Sequence, residues 1–478
     1  MSKLPEHILD TKIAIIGGSF SGILTALLLR AYGFRAIEIL EKWPRVFPQN
    51  ASFMNAGTLI HHLNFWGDPE SFQKMIAACL FFLRVFPSSM FAAGRSNLLL
   101  PNDPQNPAIH RWTKDESSAI NNLQELRRIY EMHISTTGHA PFGHLDELFY
   151  QLNESQLVQQ YGDPTVTSKK WLWVDGVFDT AFNVAQFFAD PDALIKHLYS
   201  HLMALNGNGI VVKTNSLISD IIPRGAGFDV KNWSVSLGHF QAVVGQAHAG
   251  NFSLNMPWMN EKIPCHMRRK GLLLMDWKGL NIPPTVMIRG FYGAFLPVWD
   301  DKFLVISGKH FDLDEIHFPQ GGNNLSEKLQ QWDNDPISSY SSWASEDDFA
   351  AAVIDDVTQR LPIVRQMKLV RPIFGTHVYD PSRRDASPDV ASVRDKNLIA
   401  HEFQNGHSIF LAAWHTKLTT IPMSTVHIVN RILMTLSGGK HLWIPFNEYG
   451  FPLIPEEVLD SWVTREAAPP AESYIQFK

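Results

Sequence analysis

The feature that most constrains this chain is the segment from Lys12 to Lys42, in which strand, glycine turn, helix and strand follow one another. The apolar residues Ile13 to Ile16 suit a strand that is buried on both faces of a parallel sheet. After the turn, the spacing of apolar residues predicts a helix over Ile23 to Tyr32 and a second strand over Ala36 to Leu40. A unit of this kind, roughly 30 residues long, is typical of proteins that bind a dinucleotide.

The glycine turn supplies the first predicted ligand-binding residues. Gly17 and Gly18 allow a sharp turn, and Gly22 allows the helix to pack closely on the strand. The amides at the helix N-terminus then face a pyrophosphate with the positive end of the helix dipole. Ser19 replaces the usual second glycine and is expected to crowd the pyrophosphate slightly, and an ordinary turn without a nucleotide is the alternative. The turn residues are Gly17, Gly18, Ser19, Phe20, Ser21 and Gly22.

Glu41 ends the second strand, at the distance of about 20 residues from the turn where such units carry an acid. Its carboxylate would accept hydrogen bonds from the ribose hydroxyls of the adenosine half and would repel a 2′-phosphate. The segment therefore favours FAD or NAD and excludes NADP. Lys42 completes the predicted contacts of this unit.

Composition limits the classes of function. A chain of 478 residues suggests about two or three domains. The net charge of −6, without an extended basic run, argues against nucleic acid as a partner. The two cysteines, Cys79 and Cys265, support neither a disulfide framework nor a metal site, so no metal is predicted. The N-terminal residues lack the pattern of a secretory signal, and a cytoplasmic location is expected.

The most apolar run, Met75 to Leu83, is far shorter than the roughly 20 residues that span a bilayer. A run of this length is more often a buried core helix, which is the simpler interpretation. The alternative is an interfacial helix that makes peripheral contact with a membrane, so that the protein would be membrane-associated.

Periodicity outlines the rest of the chain. Trp233 to Leu237 and Gln241 to Val244 are predicted to form a small hairpin, and Lys270 to His310 is predicted to form an antiparallel sheet. Ile210 to Val212 and Ser408 to Ala413 are predicted strands. The further predicted helices are Ser117 to Met132, Asp192 to Leu205, Ala350 to Leu361 and Met423 to Leu436.

Several separated segments resemble the D-amino acid oxidase superfamily of FAD enzymes. Ser52 to Gly57 (SFMNAG) is similar to S-F-x-N-A-G of bacterial D-amino acid dehydrogenases. The overlapping residues Asn55 to Thr58 (NAGT) resemble a segment of malate:quinone oxidoreductases. Thr58 to His61, Val370 to Ile373 and Lys417 to Thr420 resemble segments of FAD glycerol-3-phosphate dehydrogenases. The resemblance implies an α/β fold, in which a Rossmann-like FAD-binding domain carries an inserted α+β substrate domain built on an antiparallel sheet.

The order of these segments also implies a division of the chain. Residues 1–75, 171–255 and 370–464 are expected to form the FAD-binding domain, and 76–170 and 256–369 the substrate domain. Residues 465–478 are expected to be a surface tail.

The resemblance implies FAD as the cofactor and adds further binding residues. Ile218 is expected beside the adenine, and the turn before Thr420 is expected near the pyrimidine edge of the flavin, where Lys417 would stabilise charge on the reduced ring. His415, Thr416 and the Gln246 to His248 segment depart from the family's glycine patterns and leave the subfamily open. The added residues are Ser52, Asn55, Ala56, Gly57, Thr58, Ile218, His415, Lys417, Leu418, Thr419 and Thr420.

Four residues are candidates for the reaction itself. His61 and His62 follow the N-A-G-T segment and are expected at the reactive face, with a purely structural histidine as the alternative. Arg371 is expected to bind an anionic substrate in a bidentate fork, with an ion pair at the surface or between domains as the alternative. Tyr292 lies on a predicted strand of the substrate domain, so its face depends on the phase of that strand.

These features predict an FAD-dependent oxidoreductase, a dehydrogenase or oxidase, that takes a hydride from a small amine, amino acid or hydroxy-acid-like substrate. Oxygen, a quinone or another molecule would accept the electrons. An FAD monooxygenase or halogenase is an alternative, since Trp171 and Trp173 match the W-x-W of flavin halogenases although the residues after them do not. A non-catalytic flavin-binding protein is the second alternative.

Overall fold

A computed structural model describes most of the chain. The described residues are 4–47, 69–86, 91–101, 116–138, 140, 144–161, 178–189, 191–247, 254, 256, 265–276, 285–287, 294–297, 302–307, 309–310, 312–318, 343–359, 362–379, 401–413, 420–439, 443–447 and 451–463. The helices are α1 (Glu6–Leu9), α2 (Phe20–Ala31), α3 (Pro69–Val85), α4 (Glu116–Thr137), α5 (Glu154–Tyr161), α6 (Pro191–Leu205), α7 (Glu346–Thr358), α8 (Ile421–Leu436) and α9 (Glu456–Trp462). Short 3-10 helices span Leu145–Glu147 and Pro362–Gln366.

The strands form three sheets. They are β1 (Lys12–Ile16), β2 (Ala36–Leu40), β3 (Phe91–Pro101), β4 (Phe149–Gln151), β5 (Phe178–Ala189), β6 (Ile210–Lys213), β7 (Asp220–Pro223), β8 (Phe228–Asn232), β9 (Val235–Phe240), β10 (Ala242–Gly245), β11 (Cys265–Asp276), β12 (Thr285–Met287), β13 (Ala294–Pro297), β14 (Lys302–Ile306), β15 (Asp312–Phe318), β16 (Lys368–Tyr379), β17 (His401–Asn405) and β18 (Ser408–Ala412).

The first sheet has six strands in the order β17-β18-β10-β1-β2-β6. Its inner pairs are parallel, and only the edge strand β17 runs antiparallel to its neighbour. The central strands are short and apolar on both faces, as buried parallel strands must be when both faces are covered. The strands predicted over residues 13–16, 36–40, 210–212 and 408–413 are thereby confirmed.

Two layers cover this first sheet. Ile13 and Ile15 of β1 belong to the main hydrophobic core, which also contains the buried residues of α2, α3 and α8. Ala14 and Ile16 point to the other face, where they pack with Phe228 of the small sheet β7-β8-β9. Successive side chains of a strand point to opposite faces of the sheet, so the apolar residues 13–16 contribute to a hydrophobic core on each face.

The large sheet has nine strands, ordered β15-β11-β14-β13-β12-β3-β5-β4, with β16 also paired to β11. All its pairs are antiparallel except β12 with β3. Phe349 of α7 packs against the backbone of Gly271 on one face of this sheet. The antiparallel sheet predicted over residues 270–310 is confirmed for its described strands.

Two strands of the large sheet lie within chain ranges assigned to the other domain. Residues 171–255 and 370–464 were expected in the FAD-binding domain, yet β5 and β16 pair within the large sheet. β5 pairs with β3 along nearly its whole length, and β16 pairs likewise with β11. Local sequence predicts a strand but not its partner, because the pairing joins residues far apart in the chain.

The apolar run of α3 is buried. Phe82 stacks on Phe20 with 6.5 Å between ring centroids, and Phe86 packs on Phe20 at 5.8 Å. The helix ends near an ion pair in which Arg84 lies 2.5 Å from Glu456. The described apolar side chains from residue 77 to residue 86 belong to the main core, in agreement with the simpler interpretation of a buried helix. In the part of the chain that the structure describes, no helix has the length and apolarity needed to cross a membrane.

The predicted hairpin is wrong in its partners. β9 pairs with β8, after a turn at Trp233, whereas β10 leaves the small sheet and lies between β1 and β18. A single residue, Gln241, separates β9 from β10, so the sequence gives little sign of the change of sheet.

Candidate functional site

The glycine turn connects β1 to α2 and requires glycine at two positions. Gly17 has φ +109°, a conformation that L side chains rarely adopt, and a Cβ there would lie 2.9 Å from the carbonyl oxygen of Gln246. A Cβ on Gly22 would overlap the carbonyl oxygen of Gly17. The close approach of helix to strand predicted for this turn is therefore present.

The N-terminus of α2 is not capped by the chain's own side chains. The helix begins at Phe20, earlier than the predicted Ile23, so the last residues of the turn belong to its first helical turn. Ser19 occupies the N-cap but makes no side-chain cap hydrogen bond, and the first turn contains no acidic residue. The positive end of the helix dipole is thus available to an anionic ligand.

Ser19 directs its hydroxyl to the neighbouring strand. Its Oγ donates to the carbonyl oxygen of Gln246 at 3.3 Å and lies 3.1 Å from Oγ of Ser21. Gln246 is itself buried, and its side-chain amide donates to Thr25 Oγ1 at 3.3 Å. The residue that departs from the glycine pattern is accommodated by a contact with the loop after β10.

Glu41 is buried at the carboxyl end of β2, with 3% of its surface exposed. Its Oε2 accepts from the amide of Gly18 at 2.6 Å, and its Oε1 accepts from the amide of Trp43 at 2.9 Å. Burial raises the pKa of the Glu41 carboxyl above its usual value, although the amides of Trp43 and Gly18 act in the opposite direction. A carboxylate has about four lone-pair positions, so acceptor capacity remains for a ribose hydroxyl.

The segment after β6 runs beside Glu41 and brings Ile218 to the same end of the sheet. The amide of Ser216 donates to the carbonyl oxygen of Glu41 at 2.7 Å, and Ile218 is buried two residues further on. Lys42 places its ammonium group 4.9 Å from the ring centroid of Trp43. The turn, Glu41, Lys42 and Ile218, which the sequence predicted separately, therefore surround one end of the first sheet.

Many of the other predicted site residues lie outside the described part of the chain. Of the flavin turn, the structure describes Thr420, which is buried at the N-cap of α8. The predicted residues outside the described part are Ser52, Asn55, Ala56, Gly57, Thr58, His61, His62, Tyr292, His415, Lys417, Leu418 and Thr419.

Two hydroxyl groups at the start of α8 were missed by sequence reasoning. Ser424 and Thr425 are fully buried, and neither hydroxyl has a hydrogen-bond partner within the described residues. Buried hydroxyls without a partner are unusual and destabilising, so such a pair is a place where a bound ligand would be stabilised. No sequence pattern singles them out, because serine and threonine also occur on ordinary buried helix faces.

Arg371 lies on β16 opposite Leu274 of β11, next to a β-bulge that leaves Val370 unpaired. Its neighbour two residues on, Ile373, belongs to the main core, and residues two apart on a strand share a face. The Arg371 side chain is exposed and makes no ion pair with any described residue. The alternative of an ion pair between domains is therefore not seen among those residues.

The described residues fit the adenosine and pyrophosphate half of a dinucleotide. They provide a glycine turn that a side chain would obstruct, an uncapped helix N-terminus and a buried carboxylate with free acceptor positions. Within the same described ranges, no cluster of histidine, cysteine or carboxylate side chains could hold a metal ion.

No protein-family model matches the sequence, and a search of curated proteins found no match. Solved structures do match over nearly the whole chain. L-proline dehydrogenase from P. horikoshii has a TM-score of 0.55 at 14% identity, covering 92% of this chain and 95% of its own. L-α-glycerophosphate oxidase from Mycoplasma pneumoniae with FAD bound has a TM-score of 0.56 at 15% identity, and the match covers 92% of this chain and 98% of the oxidase. L-amino acid deaminase from Proteus vulgaris has a TM-score of 0.55 at 13% identity, covering 96% and 97%.

At these identities the likeness establishes the fold. The likeness covers nine-tenths of the chain, and in fold it agrees with the resemblance that the sequence motifs indicate. The sequence identity is too low for residue roles to be carried over from these structures.

Proposed function

We propose that this chain is an FAD-dependent oxidoreductase that transfers a hydride from a small amine, amino acid or hydroxy-acid-like substrate to the flavin. The observation that carries the proposal is the fit of the glycine turn, the α2 N-terminus and Glu41 to a dinucleotide, within this fold. The solved structures with the same fold include an oxidase with FAD bound and enzymes named for amino acid substrates.

The chain's own groups have separate roles in holding the cofactor. The amides of the first turn of α2 bind the pyrophosphate, and Glu41 accepts hydrogen bonds from the ribose hydroxyls. The turn that ends at Thr420 and the first turn of α8 are assigned to the flavin end. The buried hydroxyls of Ser424 and Thr425 support this assignment, because hydrogen bonds to a ligand would satisfy them.

When bound, FAD supplies a hydride acceptor, and the protein must position the substrate against it. Arg371 is assigned to a carboxylate or phosphate of the substrate, because its guanidinium is exposed and unpaired among the described residues. His61, His62 and Tyr292 are assigned to the reactive face, where a histidine would take the hydroxyl proton of an alcohol substrate. Oxygen, a quinone or another molecule is the proposed electron acceptor.

The test begins with the absorbance spectrum of the purified protein. We expect the bound yellow flavin to be bleached when the protein is mixed anaerobically with members of one class from a panel. The panel contains amino acids, amines, 2-hydroxy acids and glycerol 3-phosphate. Readmitting oxygen or adding a quinone then identifies the acceptor by the rate at which the yellow colour returns.

Other outcomes contradict the proposal in different ways. Bound flavin that only NADH or NADPH reduces would indicate a monooxygenase, and flavin that nothing reduces would indicate a non-catalytic flavoprotein. A colourless protein that takes up no FAD would exclude flavin binding altogether. A pair of variants tests the assigned role of Glu41. Glu41→Gln is expected to bind FAD more weakly than the wild type. Glu38→Gln, in the strand just before Glu41, loses only an ion pair to Lys213 and is expected to keep the wild-type affinity.

A further inference from the structure

Trp43 is an exposed aromatic residue directly beyond the carboxylate assigned to the ribose. Its side chain is 43% exposed. Among the tryptophans that the structure describes, Trp233 is also exposed, at 73%, and the others are covered to a greater extent. An exposed apolar side chain is common on protein surfaces, so the position of Trp43 and not its exposure alone carries the argument.

The backbone of Trp43 is fixed on both sides. Its amide donates to Oε1 of Glu41 at 2.9 Å, and its carbonyl oxygen accepts from the amide of Asn215 at 3.0 Å. Ser216, which follows Asn215, donates from its amide to the carbonyl oxygen of Glu41 at 2.7 Å. The segments that carry Trp43 and Ile218 therefore run side by side at this end of the first sheet.

This position is within reach of an adenine. Two residues of chain span at most about 7 Å, so the Cα of Trp43 lies close to the carboxylate that would hold the ribose hydroxyls. Adenine is bonded to the same ribose, next to one of those hydroxyls. A base held there lies beside the Trp43 and Ile218 segments, which the backbone hydrogen bonds join.

The ring of Trp43 already carries a cation on its surface. The ammonium group of Lys42 lies 4.9 Å from the ring centroid, and a cation over an aromatic face is attracted by the ring quadrupole. This contact restricts the orientation of the ring before a ligand arrives. A ring held in place loses less conformational freedom when a base stacks on it.

We propose that Trp43 binds the adenine ring of the dinucleotide by stacking, and so sets the affinity for the adenosine half of FAD. The inference rests on the proposed function, because it requires that FAD is the ligand of the glycine turn. Removal of an aromatic side chain that stacks on a base costs about 1–3 kcal/mol, which corresponds to a loss of affinity of about 5-fold to 150-fold.

The experiment measures the dissociation constant of FAD by diluting the purified holoprotein and following the fluorescence of released flavin. The wild type is compared with Trp43→Ala, Trp43→Phe and, as the matched control, Trp233→Ala. The inhibition constant of ADP, which contains the adenosine half but no flavin, is measured by competition on the same four proteins. Circular dichroism and thermal unfolding show whether each variant keeps its fold.

We expect Trp43→Ala to weaken FAD and ADP by the same factor of about tenfold, with Trp43→Phe close to the wild type and Trp233→Ala unchanged. Unchanged affinity of Trp43→Ala, or a loss for FAD without a loss for ADP, would overturn the inference and leave the proposed function intact. A loss at Trp233→Ala of the same size as at Trp43→Ala would also overturn it. Failure of the wild type to bind FAD would instead refute the proposed function.

Discussion

The glycine turn after β1 and the strand β16 both carry predicted ligand-binding residues, but they present them in different ways. At the turn, the proposed ligand-binding groups are backbone amides and one buried carboxylate, and glycine is required because a Cβ would meet main-chain atoms. On β16, the proposed ligand-binding group is the exposed side chain of Arg371, which follows a β-bulge at Val370. The first site depends on backbone geometry, and the second depends on which way a strand faces.

The difference determines how each site tolerates substitution. A backbone site is lost when the chain cannot take the required path, so a substitution there changes folding and binding together. A side-chain site on an exposed strand position can lose its group while the sheet remains intact, so only the reaction changes. Each variant below tests one side of this distinction.

The largest effect is expected from Gly22→Ala. Alanine is a better helix former than glycine by about 1 kcal/mol, but its Cβ would overlap the carbonyl oxygen of Gly17, which is backbone and cannot move aside. We expect the free energy of unfolding to fall by about 3 kcal/mol and bound FAD to be lost, as measured by urea denaturation and the flavin spectrum. Gly207→Ala is the control, because Gly207 has φ +83° with open space around it, and should cost only about 1–2 kcal/mol. Equal losses for the two variants would show that the close approach at Gly22 is unimportant.

Arg371→Met should separate binding from folding. We expect kcat/KM for an anionic substrate to fall about a hundredfold, since a guanidinium–carboxylate pair is a strong charge-assisted interaction, while the unfolding transition stays unchanged. Arg365→Met is the matched control, because Arg365 is exposed and lies 3.9 Å from Asp355. A fall in stability with unchanged kinetics would assign Arg371 a structural role and remove the contrast with the glycine turn.

Ser307→Ala tests whether a side-chain contact between the large sheet and α7 contributes to stability. Ser307 Oγ donates to Oδ2 of Asp356 at 2.6 Å, and both residues are buried between β14 and α7. Loss of this donor leaves a buried carboxylate oxygen with one partner fewer, which should cost about 2 kcal/mol of unfolding free energy. The exposed Ser135→Ala in α4 should change stability by less than about 0.5 kcal/mol, and the two are compared by urea denaturation. A Ser307→Ala protein as stable as the wild type would contradict this account.

The smallest effect is expected from Ser19→Gly, which restores the usual glycine pattern. The hydroxyl of Ser19 makes two long hydrogen bonds, to the Gln246 carbonyl oxygen at 3.3 Å and with Ser21 Oγ at 3.1 Å, so its removal should change FAD affinity by about threefold or less. The measurement is the dissociation constant of FAD for the wild type and for Ser19→Gly. A gain of tenfold or more would mean that the serine does crowd the pyrophosphate, as the sequence suggested.

The parts of the site that could be predicted from sequence are those built from local chain geometry. The turn GGSFSG, the strand before it and Glu41 lie within one short segment, so their spacing in sequence fixes their arrangement in space. Ile218 was placed only by the family resemblance. Neither the local pattern nor the resemblance indicated the hydroxyls of Ser424 and Thr425. Ile218 lies near the turn because β6 pairs with β2, and α8 packs against α2, and no local sequence pattern records either contact.

The sequence alone determined the class of the fold, because the period of the apolar residues and the glycine turn dictate a buried parallel strand followed by a tightly packed helix. Tertiary structure alone decided the sheet to which β5, β10 and β16 belong, and the exposure of Arg371. The physical reason is that a strand satisfies its hydrogen bonds with any partner whose register and face match. That choice is made by packing between segments distant in the chain, and not by the residues of the strand itself.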